Sequence, residues 1–404
     1  MIRKILFTVL ALIAIAAASF FIFAPAYIEG EANAVDGKPL PEISQEARAL
    51  HATLTVVDLH SDTLLWKRDM LDRADYGHMD LPRLQDGNVA LQIFSSVTKS
   101  PQNQNYDSNP SDTDQLTALV VGQLQPLRTW SSLTERTLFH AQKLDRAAAG
   151  SDGALRAVKD SSDLAALLSS RASGEQTIGA VFSAEGLHSL EGDISNLQRV
   201  YDAGMRMAGI THFFDNELAG SMHGEAKGGL TDFGRDVIGQ MEEMGMIVDI
   251  AHCSPQCVTE ILAAARRPVV SSHGGVQATC DVNRNLSDEH VRGVAATGGI
   301  IGIGYWEGAI CDTSPSAIAR AMKHVRDLVG IEHVALGSDY DGSVTVRFDT
   351  ANVVHVTQAL LDEGFTEDEI RAVMGGNALR VLQDGLIPFA DLPSSDEGSE
   401  AEAA

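Results

Sequence analysis

Short apolar runs that end in a histidine or a carboxylate recur along this chain, and longer stretches of helical pattern separate them. The first is Val56-Val57-Asp58-Leu59-His60-Ser61-Asp62, and residues 247–252 and 269–273 repeat the pattern with His252 and His273 at their ends. Apolar runs that alternate with helices are typical of buried parallel strands. The carboxyl ends of such strands lie at one rim of a barrel, so the pattern predicts an α/β fold with potential metal ligands gathered there.

Eight runs fit strands, which is the number that closes a (β/α)8 TIM-like barrel. They are residues 53–58, 89–94, 178–183, 207–211, 246–251, 269–272, 299–304 and 333–337. The predicted helices are residues 111–144, 193–203, 231–244, 254–265, 287–297 and 314–328, and a closing pair at 366–382 that breaks at Gly375-Gly376. A doubly wound sheet is the alternative, and it is disfavoured because no Gly-x-Gly-x-x-Gly follows the first run.

The two ends of the chain differ in composition from the barrel segment. Residues 1–30 carry two basic residues, Arg3 and Lys4, near their start and continue as an apolar stretch, which is typical of a signal peptide or an N-terminal membrane anchor. Ala24-Pro25-Ala26 and Ala32-Asn33-Ala34 are candidate cleavage sites. Residues 45–390 are expected to form the barrel, with an inserted segment at about 95–176 that contains one strong helix, and the acidic tail at 391–404 is expected to be disordered.

Charge and cysteine content narrow the partners and the compartment. The formal net charge of −25 repels phosphate backbones, so we expect no nucleic-acid partner. We expect an exported protein, either periplasmic or anchored to the membrane by its N-terminal segment. The four cysteines at 253, 257, 280 and 311 permit three complete pairings, and export would allow a disulfide.

Five residues at run ends are candidate metal ligands. His60 and Asp62 are two positions apart, so they point to the same side of an extended strand. Glu185 closes the third run, where burial of an unpaired carboxylate is costly, and its two oxygens could bridge two cations. His252 and His273 end the fifth and sixth runs, and neutral imidazole is a usual zinc donor. Each residue alone could be a cap, a loop residue or a structural histidine, but their common place at strand ends favours a metal site.

Asp339 follows the eighth run and is the candidate proton acceptor for an attacking water. Asp341 competes for this role, but the sequence Asp339-Tyr340-Asp341-Gly342 is more typical of a turn.

Taken together, these residues resemble the membrane dipeptidase (renal dipeptidase) family of the amidohydrolase superfamily. The resemblance runs from about Asp58 to Leu382. Its motifs are Asp58-Leu59-His60-Ser61-Asp62, Asp80-Leu81-Pro82-Arg83-Leu84, Glu185-Gly186, Thr211-His212, Ala251-His252, Ser272-His273, Arg284-Asn285, Gly337-Ser338-Asp339-Tyr340-Asp341-Gly342 and Gly376-Asn377.

The resemblance implies a site with two zinc ions per subunit. His60, Asp62 and the bridging Glu185 would hold one ion, and Glu185, His252 and His273 the other, with a metal-bridging hydroxide as the nucleophile. A homodimer is also expected.

The resemblance further implies three residues that contact the substrate, and one disulfide. His212 would polarise the scissile carbonyl, Arg284 would bind the free carboxylate of a dipeptide, and Asp339 would carry the proton to the leaving amine. Cys280 and Cys311 correspond to a disulfide of exported members. The chain departs from the family pattern at Gly274-Gly275, where bulkier residues are usual, and at Tyr305-Trp306, the expected aromatic pocket wall.

The sequence therefore predicts a zinc-dependent dipeptidase that hydrolyses the amide bond of small dipeptides. One alternative keeps the metals but cuts a lactone, β-lactam or phosphoester, and it depends on a wider pocket at Gly274-Gly275. Another alternative is a metal-binding envelope protein without catalysis.

Overall fold

The structure, a computed structural model, describes residues 2–388, and its nine strands there pair with one another only in parallel. The strands are β1 Val56–Ser61, β2 Val89–Phe94, β3 Leu155–Ala157, β4 Ile178–Glu185, β5 Met205–Gly209, β6 Ile247–Asp249, β7 Val270–Ser271, β8 Ile300–Ile303 and β9 Val334–Leu336. They lie in the order β2-β1-β9-β8-β7-β6-β5-β4, and pairing of β2 with β4 closes the ring. The predicted (β/α)8 barrel is confirmed, and β3 is an additional short strand beside β4.

The helices surround the barrel. They are α1 Ile2–Ala32, α2 Gln45–His51, α3 Leu81–Asp86, α4 Leu116–Gly122, α5 Leu133–Gly150, α6 Ser161–Ala172, α7 Ser195–Asp202, α8 Asp232–Glu243, α9 Pro255–Ala264, α10 Asp288–Ala296, α11 Glu307–Ile310, α12 Pro315–Val329, α13 Val354–Asp362, α14 Glu367–Arg371 and α15 Asn377–Gly385. Side-chain caps fix where several of them begin; Ser254, for example, accepts a hydrogen bond from the Cys257 amide at the start of α9.

The segment at 95–176 differs from its prediction. The prediction of a single helix at 111–144 is wrong, because the chain forms α4 and α5 with a break between them. Leu124 has a left-handed φ of 56°, and Pro126 cannot donate a helical hydrogen bond, so no helix can pass through this point. Strand β3 and five helices were not predicted, because most of them are short and give little periodicity of their own; these helices are α2, α3, α6, α11 and α13.

The closing helical pair breaks where it was predicted. Residues 372–376 form a π-helical turn between α14 and α15, and Gly375 packs against the start of β1. A Cβ on Gly375 would lie 1.9 Å from the Thr55 carbonyl oxygen, so only glycine fits this contact.

The N-terminal helix α1 is the one helix within residues 2–388 that is long and apolar enough to cross a bilayer, with a mean hydropathy of 2.8 over its most apolar part. A signal sequence has the same character, so length and composition alone do not separate the two interpretations. The predicted acidic tail at 391–404 lies outside the described residues.

Candidate metal centre

The end of β1 brings His60 and Asp62 to the rim of the barrel. Nε2 of His60 lies 3.6 Å from Oδ1 of Asp62, and both side chains are buried. The other two carboxylates at this rim are also near the same nitrogen, with Glu185 and Asp339 each at 3.8 Å. One imidazole nitrogen is thus surrounded by three carboxylates at the carboxyl ends of the strands.

Glu185, the last residue of β4, is the centre of the cluster. Its Oε1 lies 2.8 Å from Nε2 of His252 and 3.1 Å from Nε2 of His273, and its Oε2 lies 3.3 Å from Nε2 of His212. The Nε2 atoms of His252 and His273 are 3.1 Å apart. A single carboxylate therefore contacts histidines from three other strand ends.

Two residues reach the cluster through an unusual backbone conformation. His252 has a φ of 66° and Asp339 a φ of 60°, both in the left-handed region that residues with a Cβ seldom adopt. Such conformations persist where the surrounding structure imposes them, and they concentrate at functional sites. They turn both side chains toward Glu185 and His60 at the point where β6 and β9 have ended.

The chemistry of the cluster fits divalent cations. Burial raises the pKa of Glu185 and Asp62 well above the usual carboxyl range, and it lowers the pKa of His252 and His273 well below the usual value for histidine. Nε2 of His60 and Oδ1 of Asp62 are buried without a hydrogen-bond partner. Buried carboxylates with unpaired nitrogen and oxygen donors need a cation to offset their desolvation, and this donor set is one that Zn²⁺ accepts.

Three overlapping groups of donors lie close enough to share an ion. They are His60, Glu185 and His273; Glu185, His212 and His252; and His60, Asp62 and Asp339. All five predicted ligands are therefore brought together, and the predicted substrate residues His212 and Asp339 join the same cluster.

A hydrogen-bonded relay behind His273 was not predicted from the sequence. Nδ1 of His273 lies 2.9 Å from the Ser272 hydroxyl, which donates to Oδ2 of Asp249 at 2.5 Å. If Nδ1 carries the proton, Nε2 is left as the free lone pair that faces the cluster. Asp58, within β1, has a comparable place, since its Oδ1 accepts a hydrogen bond from the His60 amide at 3.0 Å. The sequence did contain one signal for these supporting residues. Each aspartate stands inside an otherwise apolar run, Asp58 two residues before His60 and Asp249 three residues before His252.

Asp341 does not join the cluster, but it is more than a turn residue. It is fully buried and accepts hydrogen bonds from the Thr63 hydroxyl and the His78 amide, each at 2.7 Å, and from the Arg68 guanidinium. Burial alone would raise its pKa, but the charge of Arg68 and these hydrogen bonds lower it. Asp341 is therefore an ionised anchor for the loop that carries Asp339.

The metal-free protein should lose stability as the pH rises above neutrality. Burial raises the pKa of Asp339 to about 8, and it also raises the pKa values of Glu185 and Asp62. The folded state then keeps protons that the unfolded state has lost above about pH 4, so each retained proton costs about 1.4 kcal/mol per pH unit. Below about pH 6.5 the buried histidines have the opposite effect, because the unfolded state protonates them and the folded state does not. We therefore expect the thermal midpoint of the chelated protein to fall between about pH 7 and 8, where histidines are neutral in both states, as measured by calorimetry. If the midpoint decreases less with pH in the Asp339→Asn variant, Asp339 is a source of the decrease. A midpoint that does not change with pH would contradict the prediction.

A cavity of about 130 Å³ opens beside the cluster. Its lining includes Glu185, His212 and Asp339 from the cluster, together with Arg284, Trp306 and Tyr106. Tyr106 comes from the segment at 95–176, and its hydroxyl accepts a hydrogen bond from the Trp306 indole at 3.0 Å. The segment at 95–176 therefore contributes directly to the cavity wall.

Arg284 lies at this cavity and is almost completely buried. Its Nη2 donates to the His273 carbonyl at 2.9 Å, while its Nε has no hydrogen-bond partner. A Cβ on Gly274, which has a φ of 148°, would lie 2.9 Å from Nη1 of Arg284, and a Cβ on Gly275 would meet the Ala309 carbonyl oxygen at 1.9 Å. These glycines thus make room for Arg284 and for close backbone packing. They do not widen the pocket, although the alternative of a lactone, β-lactam or phosphoester substrate depends on a wider pocket at this place.

The cysteines and aromatic residues also have defined places. Cys280 and Cys311 form a disulfide, as the resemblance implied, and Cys253 and Cys257 are buried free thiols. Trp306 lines the cavity as expected, whereas Tyr305 points into the core, where its ring packs against Tyr340.

A parallel barrel with buried histidines and carboxylates gathered at its carboxyl rim defines a metal-dependent hydrolase of the TIM-barrel class. The model of the membrane dipeptidase family (Peptidase family M19) matches residues 44–385, and the chain belongs to this family. It is accordingly a peptide-bond hydrolase, a metal-dependent dipeptidase by family.

Curated relatives agree with this family. "Dipeptidase aclJ" of Aspergillus oryzae is 29% identical over 350 residues, which cover 81% of this chain and 78% of the relative. "Dipeptidase 3" of Rattus norvegicus is 27% identical over 376 residues, which cover 85% of this chain and 67% of the relative.

Solved structures share the fold. A metallo peptidase from Rhodobacter sphaeroides, liganded with a phosphinate mimic of the dipeptide L-Ala-D-Ala, superposes with a TM-score of 0.67 at 21% identity, covering 82% of this chain and 99% of that one. The probable dipeptidase PvdM from Pseudomonas aeruginosa superposes with a TM-score of 0.69 at 18% identity, covering 85% and 98%.

Proposed function

We propose that this chain is a zinc-dependent dipeptidase with two ions per subunit, held by His60, Asp62, Glu185, His252 and His273. The observation that carries the proposal is the position of Glu185, whose Oε1 lies within 3.8 Å of Nε2 atoms from His60, His252 and His273. A carboxylate in that place can serve two cations with its two oxygens. Zinc ions bound there would act as Lewis acids and make water a nucleophile at neutral pH.

Asp339 is the proposed proton carrier of the reaction. It lines the cavity, and its Oδ1 lies 3.8 Å from Nε2 of His60, so it is next to the proposed ligands. A carboxylate here can accept a proton from the attacking water and deliver it to the amine that leaves. Its pKa of about 8 in the metal-free protein reflects burial, and bound cations would favour its charged form.

His212 is proposed to stabilise the oxyanion of the substrate. Its Nδ1 lies 3.3 Å from the Lys99 carbonyl, which can only accept, so Nδ1 carries the proton of the neutral ring. Burial lowers the pKa of His212 to about 3, which keeps the resting ring neutral. Donation from Nε2 therefore requires the imidazolium, and the negative charge that develops on the substrate oxygen would favour that form.

Arg284 is proposed to bind the free carboxylate of the dipeptide. Its buried guanidinium lies at the cavity and has an unused Nε donor. A guanidinium offers two parallel donors that match the two oxygens of a carboxylate. A single such residue beside the metal cluster would limit substrates to short peptides.

The Arg284→Met variant should lose about a hundredfold in kcat/KM for dipeptides, because a buried charge-assisted hydrogen bond to the substrate is removed. The loss should appear chiefly as an increase in KM. A dipeptide amide, which lacks the terminal carboxylate, is the control substrate and should be cleaved equally by both proteins. Unchanged dipeptide kinetics would contradict the assignment. L,L and L,D dipeptides should both be assayed, since the Rhodobacter sphaeroides structure contains a mimic of L-Ala-D-Ala.

We also propose that the enzyme is exported and held at a membrane by α1, and that it forms a homodimer. The side chains of Ile5, Phe7, Leu10, Leu12 and Phe20 are each more than half exposed, which suits a lipid environment. The Cys280–Cys311 disulfide is consistent with an oxidising compartment.

A further inference from the structure

The residues that follow the apolar part of α1 are built into the barrel. Glu29 is 1% exposed and Asn33 is 2% exposed, although both precede the first strand by more than twenty positions. A leader that is discarded after export has no need of buried polar contacts with the folded enzyme. Their partners therefore indicate what this segment does.

Glu29 is connected through Arg68 to the loop at 339–344, which carries Asp339. Its carboxylate pairs with Arg68, and Arg68 also pairs with Asp341. All three side chains are buried, so each charge depends on the others for compensation. Removal of Glu29 would leave Arg68 with one carboxylate instead of two.

Asn33 and its neighbours hold the next part of the same loop. Oδ1 of Asn33 accepts the Ser343 amide at 2.9 Å, and the Ala34 carbonyl accepts the Val346 amide at 3.0 Å. The Asp36 amide donates in return to the Val346 carbonyl at 2.8 Å. Residues 33–36 thus run beside the chain at 343–346 as a short parallel bridge.

The loop at 339–344 needs support from outside. Asp339, Asp341 and Ser343 all have φ values between 60° and 65°, a conformation that costs free energy at each non-glycine residue. A Cβ on Gly342 would lie 2.1 Å from Oδ1 of Asp339, so the loop passes directly over this carboxylate. Gly342 and Ser343 also line the cavity.

We propose that residues 29–36 remain on the mature enzyme and hold the loop of Asp339 in place, with Glu29 and Asn33 as positioning residues. The catalytic part of this inference rests on the proposed role of Asp339. The proposal excludes cleavage at Ala32-Asn33-Ala34, because processing after Ala34 would remove both Glu29 and Asn33. Cleavage after Ala26 would keep them. Since α1 is continuous from Ile2 to Ala32, a chain that keeps the whole helix would place the cavity beside the membrane surface.

The mass of the mature protein, purified from its native host, tests retention without any assay of activity. We expect a chain that begins at Met1, or at the latest at Tyr27 after cleavage behind Ala26. A mature chain that begins at Val35 would overturn the proposal, even if the enzyme were fully active. This result does not depend on whether Asp339 carries a proton.

Kinetics of full-length variants test the positioning role. Glu29→Gln and Asn33→Ala should lower kcat about tenfold to a hundredfold with KM changed less than about twofold, because small displacements of a catalytic group have effects of this size. Glu31→Gln is the matched control on the exposed side of α1 and should behave as the parent.

Metal content and thermal midpoint, measured on the same samples, separate positioning from folding. A lower midpoint with an unchanged kcat per metal-loaded site would show a purely structural role and overturn the proposal. If Asp339→Asn proved fully active, the proposed function would fail instead, and the N-terminal mass would still report on retention.

Discussion

Asp339→Asn should lower kcat for dipeptide hydrolysis by about three orders of magnitude, within the range that general acid–base groups contribute. Asparagine has nearly the same size as aspartate but cannot accept and return a proton. The side chain is buried beside His60, so solvent has little opportunity to replace it. Steady-state kinetics with a saturating dipeptide give the value, and KM should change much less than kcat.

Metal analysis on the same sample separates proton transfer from metal binding. Asp339 shares a donor group with His60 and Asp62, so the geometry permits both roles. We expect Asp339→Asn to retain both ions, whereas Asp62→Asn should lose metal and activity together. A loss of metal from Asp339→Asn would make Asp339 a ligand, and full activity would make the protein a metal binder without this catalytic step.

Removal of the metals should abolish dipeptide cleavage, and added zinc should restore it. Glu185→Gln should have the same effect in a permanent form, because an amide supplies no negative charge to offset two cations. Dialysis against a chelator, followed by titration with zinc and assay, measures both the loss and the number of ions needed for recovery. We expect recovery to be complete at two ions per chain.

The exposed Glu225→Gln is the control for the Glu185 substitution and should keep metal and activity. Turnover that persists in a chelated protein free of measurable metal would rule out the proposed chemistry. Recovery at one ion per chain would reject the bridging role of Glu185 and leave a mononuclear site. Recovery with manganese or cobalt as well as zinc would concern only the identity of the metal, since histidine and carboxylate donors accept several cations.

The sequence by itself determined the barrel and the residues at its rim. A buried parallel strand is apolar along most of its length, so a histidine or carboxylate at its end is conspicuous. This made His60, Glu185, His252 and His273 identifiable before any distance was known. Their convergence in the structure follows from a rule of the fold, which places the carboxyl ends of all the strands at one rim.

The tertiary structure decided which residues support that rim, because their contacts span long stretches of chain. Asp249 and Ser272 form a relay to His273 only when β6 and β7 pair, and the space for Arg284 exists only because Gly274 lies against it. The break between α4 and α5 depends on a local backbone conformation that periodicity does not reveal.

In the N-terminal segment too, the sequence predicted the helix, whereas only the tertiary structure showed its contacts. Its composition predicts an apolar helix, since length and hydropathy are local properties. That Glu29 and Asn33 hold a loop more than three hundred positions away cannot be inferred from their neighbours in the sequence. Only the folded chain brings Arg68, Asp341 and Ser343 to them, because burial of these charges and amides requires partners that distant segments supply.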